Sequence, residues 1–258
     1  MQNNTFSGLF IGKNVLKLDK VDSTNTYLKD ALSKSAPLKE GTVIMAEEQF
    51  AGRGQATNSW SSEPGKNLTF SLLLTPHFLA INKQFDLNKM ICLAINDVLV
   101  SYIGNTAKIK WPNDIYAGND KIGGILIENI IQGKQLKYAI IGVGLNVNQI
   151  KFPENIRNVT SLKQILHVDY DLQMLLAEIC QSIEVRYMQL QSGGTSGLSS
   201  KYLSKLYWLN EWRDFVINGS KESGRICGVS SEGYLQVELG YGIKEFGLKE
   251  IEFMAAKN

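Results

Sequence analysis

Cysteine is scarce in this chain of 258 residues: three in all, Cys92, Cys180 and Cys227, far apart and with no Cys-x-x-Cys pair. An odd and scattered set argues against a disulfide framework or a thiolate zinc site, and it fits a reducing compartment. Net charge is also small, +2 from 27 Lys and Arg against 25 Asp and Glu. That is too slight for a protein that coats nucleic acid or lies on a membrane surface. No uninterrupted apolar stretch reaches the length of a membrane span. The opening residues, MQNNTFSGLF, carry no basic n-region and no long apolar run, so no signal peptide is read there. A GxxxxGK[ST] phosphate loop and internal repeats are lacking as well. What is left is 44% hydrophobic and 20% charged, the make-up of a soluble cytoplasmic protein with one large domain, or one large and one small.

The stretch from Lys108 to Asn129 organises the reading of the rest. Lys108-Ile109-Lys110-Trp111 alternates polar and apolar, as a half-buried strand does, and Pro112 ends its ladder. The polar turn Ala117-Gly118-Asn119-Asp120 then reverses the chain into Ile122-Gly123-Gly124-Ile125-Leu126-Ile127, giving a hairpin. Lys108, Lys110 and Lys121 gather near its turn with Asn113 and Asp114. Gly123 and Gly124 let a ligand approach the backbone. A flat, polar molecule with anionic groups would suit such a place, and an ordinary hairpin with solvated lysines is the competing reading.

Upstream, Leu9 to Leu18 reads as a strand or hairpin, followed by Asp22-Ser23-Thr24-Asn25 at the start of a helix that ends before Pro37. Those side chains either cap the helix or present hydroxyls to something beside it. Thr42–Gln49 is a strand, and Asn67–Thr75 another. Between them lie 17 residues, 50–66, rich in Gly, Ser and Asn, a length more often functional than connective. Within them Gly52 and Gly54 free the backbone to wrap an anion with N–H groups inward, and Arg53 adds a permanent charge.

Phe85 to Ile103 bears an apolar stripe at helical spacing and reads as core. Leu136–Val147 is apolar nearly throughout and predicts a central strand, with Gly142 and Gly144 marking close approach and Asn146 a polar tip. Asp171–Leu190 is a helix, Ser192–Ser200 a flexible connection, and a further helix ends near Leu209. From Asp214 short strands alternate with Gly- and Ser-bearing turns, the pattern of a small barrel. Residues 214–258 hold seven acids and five bases, net −2, a poor balance for binding nucleic acid.

Taken together, several motifs resemble the biotin protein ligases (biotin–[acetyl-CoA-carboxylase] ligases). They are Asp22-Ser23-Thr24-Asn25, Glu48-Gln49 with Gly52-Arg53-Gly54, and Trp60 with Pro64-Gly65-Lys66-Asn67-Leu68. Lys110-Trp111-Pro112-Asn113-Asp114, Lys121-Ile122-Gly123-Gly124-Ile125-Leu126-Ile127-Glu128 and Gly142-Val143-Gly144-Leu145-Asn146 follow in family order. The likeness is strong over residues 20–150 and weak over the terminal barrel. It implies an α+β fold, with a mixed central sheet and flanking helices like a class II synthetase, plus a small SH3-like β-barrel. The implied division is a catalytic biotin- and ATP-binding domain, 1–212, and a C-terminal barrel, 213–258.

The resemblance also implies two half-reactions. Biotin carboxylate attacks the α-phosphate of ATP with Mg²⁺, giving biotinyl-5′-AMP and pyrophosphate. A lysine of a biotin carboxyl carrier domain then takes the acyl group and AMP leaves. Lys121 is expected to bridge the biotin carboxylate and α-phosphate, with Arg53 as the second catalytic cation. Ser23, Thr24, Asn25, Gln49, Gly52, Arg53, Gly54, Lys121 and Gly124 are expected around biotin. Arg53, Gln55, Trp60, Lys110, Asn113, Lys121 and Asn146 are expected around ATP or the adenylate, and Asp114 at the metal.

Two departures stand out. Many relatives extend the loop as GRGRxGR, where this chain has Gln55 and Asn58 in place of the second and third arginines, which bears on adenylate retention. The 22 residues before Ser23 are too few for a winged helix-turn-helix, so specific DNA binding is not expected. Exposed strand edges would allow a homodimer, and no membrane partner is expected. A lipoate or octanoate ligase or transferase of the same fold is the alternative, and a binding-only relative is a third reading.

Overall fold

A computed structural model of the protein describes residues 8–34, 38–154 and 156–254. Strand β1 (Val15–Val21) leads into helix α1 (Thr24–Ser33), which carries the chain back to β2 (Val43–Gln49), parallel to β1. A parallel pair requires such a crossover. The expected strand from Leu9 therefore starts later, at Val15. The reason lies in Glu184, whose carboxylate accepts the backbone N–H groups of Leu9, Phe10 and Ile11 at 2.5, 2.7 and 2.7 Å and curls that segment into turns.

Strand β3 (Leu68–Leu74) pairs antiparallel with β2 and is buried at every position. Its two faces differ in chemistry. Leu68, Phe70, Leu72 and Leu74 enter the main core, whereas Leu73 packs with Leu28, Ile44 and Ile140 under α1. Thr69 and Ser71 alternate onto the Leu73 face, so a polar strip opens beside the first turn of α1. Helix α2 (Gln84–Ile103) follows and buries residues on nearly all sides. With its flanking turns, Ile81–Thr106, it is long and apolar enough to cross a membrane; here it is a core helix, packed on the sheet and the later helices.

Next comes a meander of β4 (Ala107–Lys110), β5 (Asp114–Ala117), β6 (Asp120–Gln132) and β7 (Gln135–Leu145). The single hairpin expected here is two hairpins. Asn113 and Asp114 turn the chain into β5, a four-residue strand that separates β4 from β6. The full sheet runs β1-β2-β3-β7-β6-β5-β4, and β7 holds the centre as its apolar sequence predicts. Helices α3 (Leu162–Leu166), α4 (Leu172–Gln191) and α5 (Leu198–Ser204) complete this layer. Asp171 caps α4 by accepting from the N–H groups of Gln173 and Met174. The connection read over Ser192–Ser200 is shorter than expected, because α5 begins at Leu198, and that helix stops at Ser204, not near Leu209.

The C-terminal strands β8 (Trp212–Ile217), β9 (Ser220–Val229), β10 (Leu235–Leu239), β11 (Gly242–Phe246) and β12 (Ile251–Phe253) form a second, all-antiparallel sheet of SH3-like character. Phe215, Ile226, Val237 and Ile251 point inward. The fold is thus α+β, a mixed sheet with helices and a small β-unit. Trp208 bridges the two parts, stacked on Tyr207 of one side and Phe253 of the other.

Candidate active site

Glycine makes the floor of the main cavity. In the paired strands Gly124 lies opposite Gly144, and Leu126 opposite Gly142. A Cβ on Gly144 would run into the indole of Trp60, and one on Gly142 into the carboxamide of Asn25. Only a residue without a side chain leaves room for both. The polar strip of β3 continues this floor, since Thr69 pairs with Gly144 and Ser71 with Gly142.

Lys121 reaches the floor through an irregularity. It lies three residues from Gly124, and strict alternation would send the two to opposite faces. Between the pairs Ile115–Gly123 and Tyr116–Lys121, however, β6 has one extra residue, Ile122, a β-bulge that resets the register. The Lys121 ammonium consequently sits 2.7 Å from Asp114, and 3.5 Å from where a Gly124 Cβ would be. Its backbone is held from the other side by Asn158 and Thr160, at 2.8 and 3.0 Å.

The first turn of α1 supplies the end wall. Ser23 is the N-cap residue, yet no side-chain capping bond is made there, so its hydroxyl is left for the cavity. Thr24 donates through its N–H and hydroxyl to Gln49 Oε1 at 2.8 and 3.1 Å, and Ser71 Oγ lies 2.7 Å from Thr24 Oγ1. Asn25 donates to Glu128 at 2.8 Å. Glu128 also binds Arg53, 3.0 Å away, so each cation of the site, Lys121 and Arg53, is matched by a carboxylate.

The loop after β2 is the remaining wall. At Gly54 the backbone N–H is taken up within the loop, against the expectation that it faces an anion. The Gly54 N–H donates to Asn58 O at 2.8 Å and Trp60 N–H to Gly52 O at 2.9 Å, closing a short ladder that presents Arg53, Gln55, Asn58 and Ser59 to the cavity. Trp60 Nε1 is buried with no acceptor among the described residues. The enclosed space is about 150 Å³, below the roughly 300–1,000 Å³ of most ligand pockets.

Of the residues expected from sequence, Ser23, Asn25, Gln49, Arg53, Gly54, Gln55, Trp60, Asn113, Asp114, Lys121 and Gly124 line this one cavity. Thr24 lies behind it, holding Gln49. Gly52 shapes the loop from outside. Asn146 is buried and donates to Thr160 O at 3.1 Å, anchoring the segment that braces Lys121. Lys110 points elsewhere: its ammonium donates to Tyr116 Oη at 3.1 Å and lies 4.9 Å from the Phe253 ring centroid, beside the C-terminal sheet. Burial lowers its pKa, Asp114 opposes that shift, and Lys121 adds to it. Asn58, Ser59, Ile125 and Leu126 were not foreseen as lining residues, nor was Glu128 as the partner of Arg53 and Asn25.

A floor without side chains, two carboxylate-matched cations and a ring of amides and hydroxyls define a site for a flat polar ligand carrying anionic groups. Residues 18–146 match the biotin/lipoate A/B protein ligase family. The chain belongs to that family. It is 31% identical over 248 residues to the bifunctional ligase/repressor BirA of Bacillus spizizenii, covering 94% of this chain and 74% of that one. It is 34% identical over 132 residues to the biotin–[acetyl-CoA-carboxylase] ligase of Paracoccus denitrificans, 50% of this chain and 53% of that one. Among solved structures, the biotin protein ligase of Aquifex aeolicus in complex with biotin and ATP superposes with a TM-score of 0.78 at 28% identity, over 95% of this chain and 100% of that one.

Proposed function

We propose that the protein is a biotin protein ligase that joins biotin to ATP as biotinyl-5′-AMP and passes the biotinyl group to a lysine of a biotin carboxyl carrier domain. The observation that carries this is Lys121, brought by the Ile122 bulge onto the glycine floor beside Asp114 and across from Arg53. The Paracoccus relative and the Aquifex structure are both named for biotin, which supports biotin over lipoate or octanoate.

In the first step the biotin carboxylate oxygen attacks the α-phosphorus, and pyrophosphate leaves. Two anions must meet, so the chain's task is to hold them, compensate charge and exclude water. Lys121 is assigned to the carboxylate and α-phosphate together. Arg53 exchanges Glu128 for the ligand. Ser23, Asn25 and Gln49 offer donors and acceptors to the ureido ring, with Thr24 setting the Gln49 amide. Gly124, with Gly144 beside it, lets the bicycle lie on backbone. Asn113, Gln55 and Trp60 are assigned to the adenylate side. Asn146 and Lys110 act from outside the cavity, the first by bracing Lys121.

Mg²⁺ fits this donor set: Asp114 is the carboxylate of the cavity lining, and Mg²⁺ is usually held by one or two carboxylates with substrate phosphates. Bound there, it would neutralise phosphate charge. We further read residues 1–212 as the catalytic domain and 213–258 as the barrel, a cytoplasmic setting supported by three free cysteines, and no specific DNA partner, supported by the slight net charge. A homodimer through an exposed sheet edge remains part of this reading. Incubation with biotin, ATP, Mg²⁺ and the biotin carboxyl carrier domain of acetyl-CoA carboxylase should add one biotinyl group to a single lysine, read by intact mass. Modification by lipoate in preference to biotin would favour the alternative.

A further inference from the structure

A separate cavity of about 340 Å³ lies between the β5–β6 turn and the end of β12. Its size falls within the roughly 300–1,000 Å³ of most ligand pockets, and it shares no lining residue with the candidate active site. Two donors there lack acceptors. The Lys110 ammonium is half-buried and has three protons to give, yet among the described residues its one hydrogen bond is to Tyr116 Oη, at 3.1 Å. Asp114, its cross-strand partner, is taken by Lys121. The Trp208 side is similar: the residue is 5% exposed, and its Nε1 finds no acceptor among the described residues. Burial raises the Tyr207 pKa, with Arg213 and the Trp208 N–H opposing it, so that N–H is turned toward the Tyr207 hydroxyl. The hydroxyl is itself spent on Asn119 Oδ1, at 3.0 Å. Buried donors without acceptors are costly, and a ligand that brings an acceptor group removes the cost.

We infer that this cavity is a second ligand site, which binds a small, flat monocarboxylate between Lys110 and Trp208. The walls set the shape. Tyr116, Tyr207, Trp208 and Phe253 present aromatic surface, which a flat apolar body covers best. The charge follows from Lys110 and Asp120, the two ionised groups of the lining. A cation would have to compete with Lys110, whose ammonium already lies 5.0 Å from the Tyr116 ring centroid and 4.9 Å from that of Phe253. A dianion such as phosphate would be opposed by Asp120 and matched by a single cation. A monoanion matches Lys110 one for one, and it favours the charged ammonium that burial disfavours. The site stands whether or not the protein is a ligase.

The full-length protein, labelled with heavy nitrogen, reports on this by NMR, because its four tryptophans give four indole N–H signals. Benzoate serves as the probe. It should shift the Trp208 signal, assigned through Trp208→Phe, in a saturable way with a Kd on the order of 1 mM, as suits so small a ligand. Lys110→Met keeps an unbranched stem against Phe253 and should weaken that binding at least about tenfold, the loss of a charge-assisted hydrogen bond. Benzyl alcohol and inorganic phosphate should each bind at least about tenfold more weakly than benzoate. Asp120→Asn should tighten benzoate about twofold or more, and it tests the same electrostatics if Lys110→Met does not fold. A benzoate shift confined to Trp60 would put the anion in the candidate active site and overturn the inference. So would the absence of a Trp208 shift, a Trp208 shift that Lys110→Met or Asp120→Asn leaves unchanged, or one that phosphate or benzyl alcohol matches.

Discussion

Lys121 and Gly144 carry the sharpest expectations at the scale of single residues. Lys121→Ala should slow pyrophosphate release by about 10²–10³-fold, the usual cost of losing one well-placed charge stabiliser. The fold should survive, since the pair with Asp114 is partly exposed (34% and 29%) and such pairs contribute about 1 kcal/mol or less. Near-normal turnover would remove Lys121 from the chemistry. The glycines separate by what surrounds them. Gly144→Ala forces a methyl into the Trp60 indole and should cost about 1–3 kcal/mol of stability as well as activity. At Gly124 a Cβ would meet Asp114 Oδ1 at 3.2 Å and Lys121 Cε at 3.5 Å, both on side chains that can move. Gly124→Ala should therefore melt near the unaltered protein while its KM for biotin rises; equal melting losses in both variants would contradict this account. Much of this was legible in the sequence. Lys110 was not: the sequence placed it with Lys121 around the nucleotide, whereas it turns to Tyr116 and Phe253, and the bulge at Ile122 sets Lys121 on the cavity floor.

Elements were legible where they are long and apolar, as for β7 and α2, and illegible where three-dimensional partners define them. β5 is four residues long, too short for periodicity to show. The turn at Leu9–Ile11 exists because Glu184, some 175 positions on, accepts its N–H groups. Burial pushes the Glu184 pKa up, but those N–H donors and Lys13 outweigh it, leaving the carboxyl below its ordinary 4.5. A depressed carboxyl pKa gives stability that is full above the ordinary value and lost as pH falls through the folded one. Glu184→Gln should accordingly melt below the unaltered protein at pH 7, by a gap that narrows once pH drops under 4.5. A gap constant with pH would mean that the charge does not matter. The loop after β2 invites a gain of function. Gln55 lines the cavity, so Gln55→Arg adds a charge-assisted bond and should slow biotinyl-AMP release several-fold, by about 1 kcal/mol or more. An unchanged off-rate would show that position 55 does not face the adenylate.

For the molecule as a whole, two adjoining cavities of different charge share the wall of Gln55, Pro112, Asn113 and Leu126. Lys121, Arg53 and several amides surround a bare glycine floor, and among the described residues the groove beside it, against the C-terminal sheet, is lined by no Lys, Arg or His. The terminal β-unit is joined to the sheet through Trp111, Trp208 and Phe253. The sequence pattern alone marked it as a separate small barrel and gave no sign of that contact, because Gly233 and Trp111 meet across 122 positions. The central claim is that this cavity activates biotin. The most direct measurement is pyrophosphate release with ATP and Mg²⁺ in the presence of biotin, of lipoate or of neither. Release that depends on biotin, far exceeds that with lipoate and falls away in Lys121→Ala is what the structure predicts. Release indifferent to biotin, or faster with lipoate, would contradict it.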